Sequence, residues 1–211
     1  MIYTIGHSTM SSEDFVKIAA PLKTVIDIRS HPTSRWEQFR KEEMQRWLQN
    51  AGIGYEWWPS LGGWSEKHAD LIPKFEPLLV DVAAYVRGKF PKQRIAKGTK
   101  CPEPSENIQE SLPGIRPAWT NQGLYDYSWF MSLPEFIQGA EELIQRGESE
   151  DIGIMCCEVL WWKCHRSMVA DYVVFRKHEV FHLQPKLSSH TKAIGNRLDR
   201  YDPRIIEAWN K

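Results

Sequence analysis

The chain has 211 residues, 42% hydrophobic and 26% charged, with 27 basic against 27 acidic side chains, a balance that supports one domain with a real core and argues against a general binder of polyanions. No apolar run is long enough to span a membrane and no signal-like segment opens the chain. Its four cysteines, three of them crowded at 156, 157 and 164, do not resemble the spread framework of a secreted disulfide scaffold, so the sequence reads as a cytoplasmic protein with reduced thiols.

Met1 to Gly6 is a short apolar strand that ends in the turn Gly6-His7-Ser8. Ser11 to Ala20 is helical, with Phe15, Ile18 and Ala19 at helical spacing behind a capping Ser11-Ser12-Glu13-Asp14. Lys23 to Arg29 is a second strand, β-branched and stopped by Ser30-His31-Pro32. The three elements make a βαβ unit, which predicts parallel pairing. A helix follows over Glu42 to Asn50, then a strand over Ile53 to Trp57 and a turn at Leu61-Gly62-Gly63. Pro73 to Val86 is helical in its later part.

The stretch 88–119 carries five prolines and little periodicity, and reads as an irregular insertion. Regular structure resumes near Ser132 with a helix to about Gln145. A buried strand runs from Asp151 to Cys156, a helix from Ser167 to Arg176, and a last strand from Glu179 to Leu183. Residues 185–211 form a tail with six Lys or Arg against three acids. The expected architecture is a single three-layer α/β domain over 1–211: an open, mostly parallel sheet flanked by helices.

In such a sheet, ligands bind outside the carboxyl ends of the strands, near helix N-termini. Polar residues collect there. His7 and Ser8 leave the first strand; Asp27 and Arg29 leave the second, with Ser34 in the loop beyond. Cys156 and Glu158 leave the strand at 151–156, and Cys164, His165 and Arg166 open the next helix. A thiol in a first helical turn beside a histidine and an arginine is in the setting that lowers its pKa. Arg29 and Arg166 can each grip a phosphate, carboxylate or sulfate with two donors, or pair internally with Asp27 or Glu158. His7, His165 and Glu158 are acid–base candidates, while His182, inside a strand, is assigned a structural role. Cys156, Cys157, Cys164 and His165 lie within ten positions, but adjacent cysteines rarely chelate one ion and zinc sites favour C-x2-C pairs. No metal is therefore expected. No cofactor is expected either, and Gly62-Gly63 supplies flexible backbone but lacks the length and lysine of a phosphate loop.

Several blocks then match a known pattern in order: Thr4-Ile5-Gly6-His7-Ser8, Asp27-Ile28-Arg29-Ser30-His31-Pro32-Thr33-Ser34, Gly52-Ile53-Gly54-Tyr55, Leu61-Gly62-Gly63, Met155-Cys156-Cys157-Glu158, Cys164-His165-Arg166 and Val180-Phe181-His182-Leu183. On these the chain resembles the prokaryotic domain-of-unknown-function family 488. The resemblance implies a compact α/β domain with a shared polar cluster at His7, Ser8, Asp27, Arg29, Cys156, Glu158, Cys164, His165 and Arg166, and names no reaction. Cys157 stands where the pattern implies a small residue such as alanine.

Two functions are weighed. One is an enzyme with an anion pocket at the strand ends, acting on a phosphate-bearing or nucleotide-like substrate. In it Arg29 and Arg166 hold the anion, Ser8 assists, Cys164 or Cys156 is nucleophile or polarising thiol, and Glu158 or His165 moves the proton. The other is a non-catalytic nucleic-acid module that sets Arg35, Arg40, Lys41 and the basic tail on phosphates and stacks some of the ten tryptophans on bases. The oligomeric state is not legible.

Overall fold

The computed structural model describes residues 1–62, 122–191 and 195–211, all of which fall in one compact unit. The expectations for 73–86 and 88–119 lie outside the described residues.

The strands are β1 (Ile2–Gly6), β2 (Thr24–Asp27), β3 (Gly54–Trp57), β4 (Ile152–Cys156), β5 (Val180–His182) and β6 (Ser188–Ser189). The helices are α1 (Ser12–Ala19), α2 (Lys41–Asn50), α3 (Gln122–Phe130), α4 (Pro134–Ser149), α5 (Arg166–Phe175) and α6 (Pro203–Trp209). The sheet order is β3-β2-β4-β1-β5-β6, parallel throughout except for β6, which runs antiparallel to β5. This is the expected open α/β architecture.

Alternation along the strands divides the core into two layers. Ile5, Val25 and Met155 face α1 and α2, meeting Phe15, Met44 and Leu48. Ile26, Ile152, Ile154 and Cys156 face the other way, against Phe136 and Leu143 of α4, Met168 and Tyr172 of α5, and Trp209 of α6. Ser11 caps α1 as expected, its hydroxyl accepting from the Asp14 N–H at 3.1 Å.

Three expectations are corrected. First, β1 and β2 are parallel but not neighbours, because β4 lies between them. All five residues of β4 are buried, and a strand apolar on both faces gains most from the middle of a sheet. Second, a helix is already present over Gln122–Phe130, before Ser132. The residues of α3 that sink into the core, Tyr127 and Phe130, pack on Phe136 at ring distances of 6.0 and 5.9 Å. Third, residues 185–211, to which the sequence assigned no element, carry regular structure among the described residues. They supply β6 and α6, with Ile205 and Trp209 each 1% exposed and the Trp209 indole donating to the Met131 carbonyl at 3.0 Å.

The strand order also fixes where a ligand would sit. From β1 the chain crosses by α1 toward β2, whereas from β4 it crosses by α5 toward β5, on the opposite face. Adjacent strands whose connections diverge open a crevice at their carboxyl ends. Gly6 of β1 is level there with Cys156 of β4.

Candidate functional site

The crevice gathers most of the residues the sequence singles out, in two adjoining groups. One is a cleft of about 230 Å³ lined by His7, Ser8, Ser34, Arg35, Trp36 and Cys157, among others. The His7 N–H donates to the Cys156 carbonyl at 3.1 Å and the Ser8 N–H to the Cys157 carbonyl at 2.8 Å, so the first two residues beyond β1 extend its pairing with β4. Ser8 then turns with φ of +43°, a left-handed conformation rare outside glycine and recurrent at functional sites.

His7 is 3% exposed and stacks on Phe39 with ring centroids 4.2 Å apart. Its Nδ1–H donates to the Ser8 carbonyl at 2.9 Å, leaving Nε2 to face Arg29 Nη1 at 3.4 Å. Burial pushes its pKa down to about 4, so the ring is neutral at pH 7 and fixed in one tautomer. His182 is pushed the same way, first by burial and then by its neighbours His190, Arg166 and Arg197, to about 2. For a base whose folded pKa lies below its ordinary 6.5, the unfolded chain binds the proton first. The stability is complete above pH 6.5 and declines as pH falls below it toward each folded value. Unfolding free energies from urea titrations should therefore fall steadily from pH 7 toward pH 5, by about 1–2 kcal/mol per histidine.

Arg29 and Asp27 sit behind this cleft and are engaged with each other. Arg29 Nε donates to both oxygens of the Asp27 carboxylate at 2.9 and 3.1 Å, and Nη2 donates to Oδ2 at 2.6 Å. Its remaining donors hold the loop beyond β2 through the Phe39 carbonyl at 2.8 Å and the Thr33 carbonyl at 3.3 Å. Tyr55 completes the carboxylate, its hydroxyl donating to Oδ2 at 2.7 Å. Of the two roles open to Arg29, the internal pair is the one formed, and its donors are already used. Arg29→Ala leaves a fully buried carboxylate unpaired, a loss of about 3–5 kcal/mol that a urea titration would register.

The second group is the thiol cluster. Cys156 ends β4, a short 3-10 turn over Trp161–Lys163 returns the chain, and Cys164 lies one residue before His165, the N-cap of α5. The expected place of Cys164 in the first helical turn shifts outward by that much. His165 Nε2–H donates to the Ile28 carbonyl at 3.1 Å, which turns Nδ1 toward both sulfurs, 3.8 Å from Cys164 Sγ and 4.0 Å from Cys156 Sγ. The Cys164 thiol is drawn below its ordinary range, first by the Cys156 thiol and then, against burial, by the Arg166 charge and backbone N–H. Cys157 is pushed the other way by the same Cys156 thiol and by burial. Tyr127, which the sequence reading passed over, covers His165 at 5.0 Å between ring centroids.

Arg166 is 1% exposed. Its Nη2 donates to the Val159 carbonyl at 2.8 Å, while Nε and Nη1 have no hydrogen-bond partner among the described residues, nor does any carboxylate there pair with it. The guanidinium lies against Gly6, where a methyl group would stand 2.7 Å from Nη1 and 2.0 Å from the Glu158 carbonyl oxygen. Glycine is needed there because β1 and the exit of β4 approach so closely. The Glu158 carboxylate turns to its own loop, accepting from the Leu160 N–H at 3.1 Å.

A third polar group was not anticipated. Thr4 Oγ1–H donates to His182 Nδ1 at 2.7 Å, His182 Nε2–H to His190 Nδ1 at 2.8 Å, and His190 Nε2–H to Asp171 at 2.7 Å. Arg197 donates to both Asp171 oxygens at 2.7 and 2.9 Å and Tyr201 to one at 2.7 Å. Trp161 closes the group by stacking on His182 at 3.9 Å, nearly parallel. The structural role assigned to His182 agrees with this. The one sequence signal was Asp171, a carboxylate in the otherwise apolar Met168–Phe175.

Among the described residues, no helix is long and apolar enough to cross a membrane. No curated protein and no solved structure matches the chain. A family model does match, over residues 14–93 and 77–173, which contain the second strand, the thiol cluster and most of α5. The chain therefore belongs to the family described as Domain of unknown function DUF488.

Proposed function

We propose that the protein is an enzyme that binds a phosphate-bearing or nucleotide-like anion at the carboxyl ends of β1 and β4, with Cys164, Cys156 and His165 as the reacting centre. The observation that carries this reading is Arg166, a buried cation with two unpartnered nitrogens and no acidic neighbour among the described residues. Burying such a charge unpaired is costly, a cost that a bound anion would offset. Arg166 also opens α5, whose positive end favours an anion on the same side. Ser8, Ser34 and Arg35 line the adjoining cleft, suited to the rest of the substrate. His165 Nδ1 stands where it can take a thiol proton, whereas Glu158 is occupied with its own loop.

The nucleic-acid module has less support. Of the cations assigned to it, Arg197 is buried against Asp171, Arg204 pairs with Asp202 at 2.7 Å and Lys211 lies 3.9 Å from Glu207.

The test is a thermal-shift panel on the reduced protein with inorganic phosphate, nucleotides, sugar phosphates and short oligonucleotides. A ligand at a hundred times its Kd adds about 2.7 kcal/mol. A nucleotide or phosphate response that disappears in Arg166→Met supports the pocket. A response to oligonucleotides alone, fading with salt, supports the module.

A further inference from the structure

We propose that Cys156, Cys164 and His165 form a binding site for a soft divalent cation, zinc by class. The inference concerns the reacting centre of the proposed enzyme, and its test does not use the substrate.

The three candidate ligand atoms, Cys156 Sγ, Cys164 Sγ and His165 Nδ1, all lie within 4.8 Å of one another. Zinc–sulfur and zinc–nitrogen bonds of about 2.3 and 2.0–2.1 Å at tetrahedral angles give a sulfur–nitrogen edge of about 3.5 Å and a sulfur–sulfur edge of about 3.8 Å. The sulfur–nitrogen separations of 3.8 and 4.0 Å need to contract by only a few tenths of an ångström to meet the first of these.

The histidine is also oriented as a ligand. A metal-bound imidazole is held by a hydrogen bond from its other nitrogen to a carboxylate or backbone carbonyl. His165 Nε2–H makes that bond to the Ile28 carbonyl, which leaves the Nδ1 lone pair directed between the sulfurs. Cys156 and Cys164 are 4% and 5% exposed, so the shell is largely desolvated, as thiolate–metal centres are.

The spacing that argued against a metal concerned Cys156 with Cys157. In the fold Cys157 is exposed on the cleft side, and the ligand partners of Cys156 come from the start of α5. Two thiolates and one imidazole make a three-ligand set, the number that leaves a fourth position for water or substrate at a catalytic zinc. They cancel the charge of a divalent ion, so Arg166 remains unbalanced and able to attract an anion toward that fourth position. With the ion bound, the sulfurs act as ligands and the polarising group is the metal.

The experiment uses the full chain, reduced and stripped with a chelator, titrated with zinc against a chromogenic competitor and, separately, with cobalt(II) as a spectroscopic probe. The expected result is one equivalent bound, with the strong visible bands of tetrahedral cobalt and sulfur-to-cobalt charge transfer. Cys156→Ser, Cys164→Ser and His165→Ala should each weaken binding by at least the roughly 10- to 100-fold cost of losing a supporting partner. Cys157→Ser should leave it unchanged. In the unmodified protein, zinc uptake should release protons from the Cys156 and Cys164 thiols, read by a pH indicator in weak buffer, a readout that does not depend on any variant folding. No stoichiometric uptake, cobalt spectra without sulfur bands, or binding that follows Cys157 would overturn the site. Metal uptake with no anion response would retire the substrate reading alone, and an anion response without metal uptake would retire the metal alone.

Discussion

Asp171→Ala should cost the protein about 3–5 kcal/mol, the range for removing one member of a buried ion pair. At about 2–4 °C per kcal/mol for a chain of this size, the melting temperature falls by roughly 10 °C. The reason is the number of groups stranded at once. Asp171 is fully buried and receives Arg197, His190 and Tyr201, and each of these is itself buried. Without the carboxylate, the Arg197 charge keeps Ser167 Oγ at 3.0 Å and the face of Trp161 at 5.7 Å, and His182 and His190 lose the acceptor that ends their chain. Asp171→Asn retains shape and one acceptor oxygen but not the charge, so it should fall between the alanine variant and the natural protein. Chemical denaturation of the three proteins checks the order. Equal stabilities would mean that the network contributes geometry and no energy. Burial holds the Asp171 carboxyl up while His190 and Arg197 outweigh it, for a net lowered pKa. Its share of stability is therefore present above the ordinary carboxylate range and lost in acid, adding to the histidine effect.

Arg166→Met should do the reverse in the ligand-free protein, leaving it as stable as before or more stable by about 1–3 kcal/mol. The replacement fills a similar volume without an uncompensated charge, and buried ionic groups replaced by apolar ones of similar size often stabilise. The Val159 hydrogen bond is lost, at about 1 kcal/mol, and sets the lower end of the gain. The same variant should lose all anion-induced stabilisation. Stability gained where binding is lost is the mark of a site whose strain serves a ligand. Paired scans with and without phosphate or nucleotide measure both effects together. A clearly destabilised variant would show that the Arg166 charge is already balanced inside the protein, and the anion pocket would lose its main support.

Much of the sheet was legible because its strands are short β-branched or apolar runs closed by turn residues, as in Thr24–Asp27 and Ile152–Cys156. The helix α3 was not, since aromatic and polar residues alternate in Leu124–Phe130 with little of the period that marks an amphipathic helix. The place of β4 between β1 and β2 depends on pairing across more than 120 residues, which no local pattern carries. The site shows the same division. Its members were readable as polar residues at strand ends, but their partnerships were not. Nothing in the sequence decided whether Arg29 would grip Asp27 or a ligand, or that Arg166 would find no acid. The Asp171 network joins residues 19 and 26 positions apart. The convergence of Cys156, Cys164 and His165 depends on how tightly the 3-10 turn at Trp161–Lys163 returns the chain.

The central position of β1 has a consequence for the protein's birth. It leaves the ribosome before β2 and β3, yet its neighbours are β4 and β5, with Ile2 pairing to Ile152 and Val180. At about 5–20 residues per second, those partners arrive roughly 7–35 s after it does. For that time an apolar strand destined for the middle of the sheet has both hydrogen-bonding edges open, the state in which strands pair with the wrong chain. The helix α6, which brings Trp209 into the core, emerges later still, so the core closes only once residue 209 is free of the ribosome.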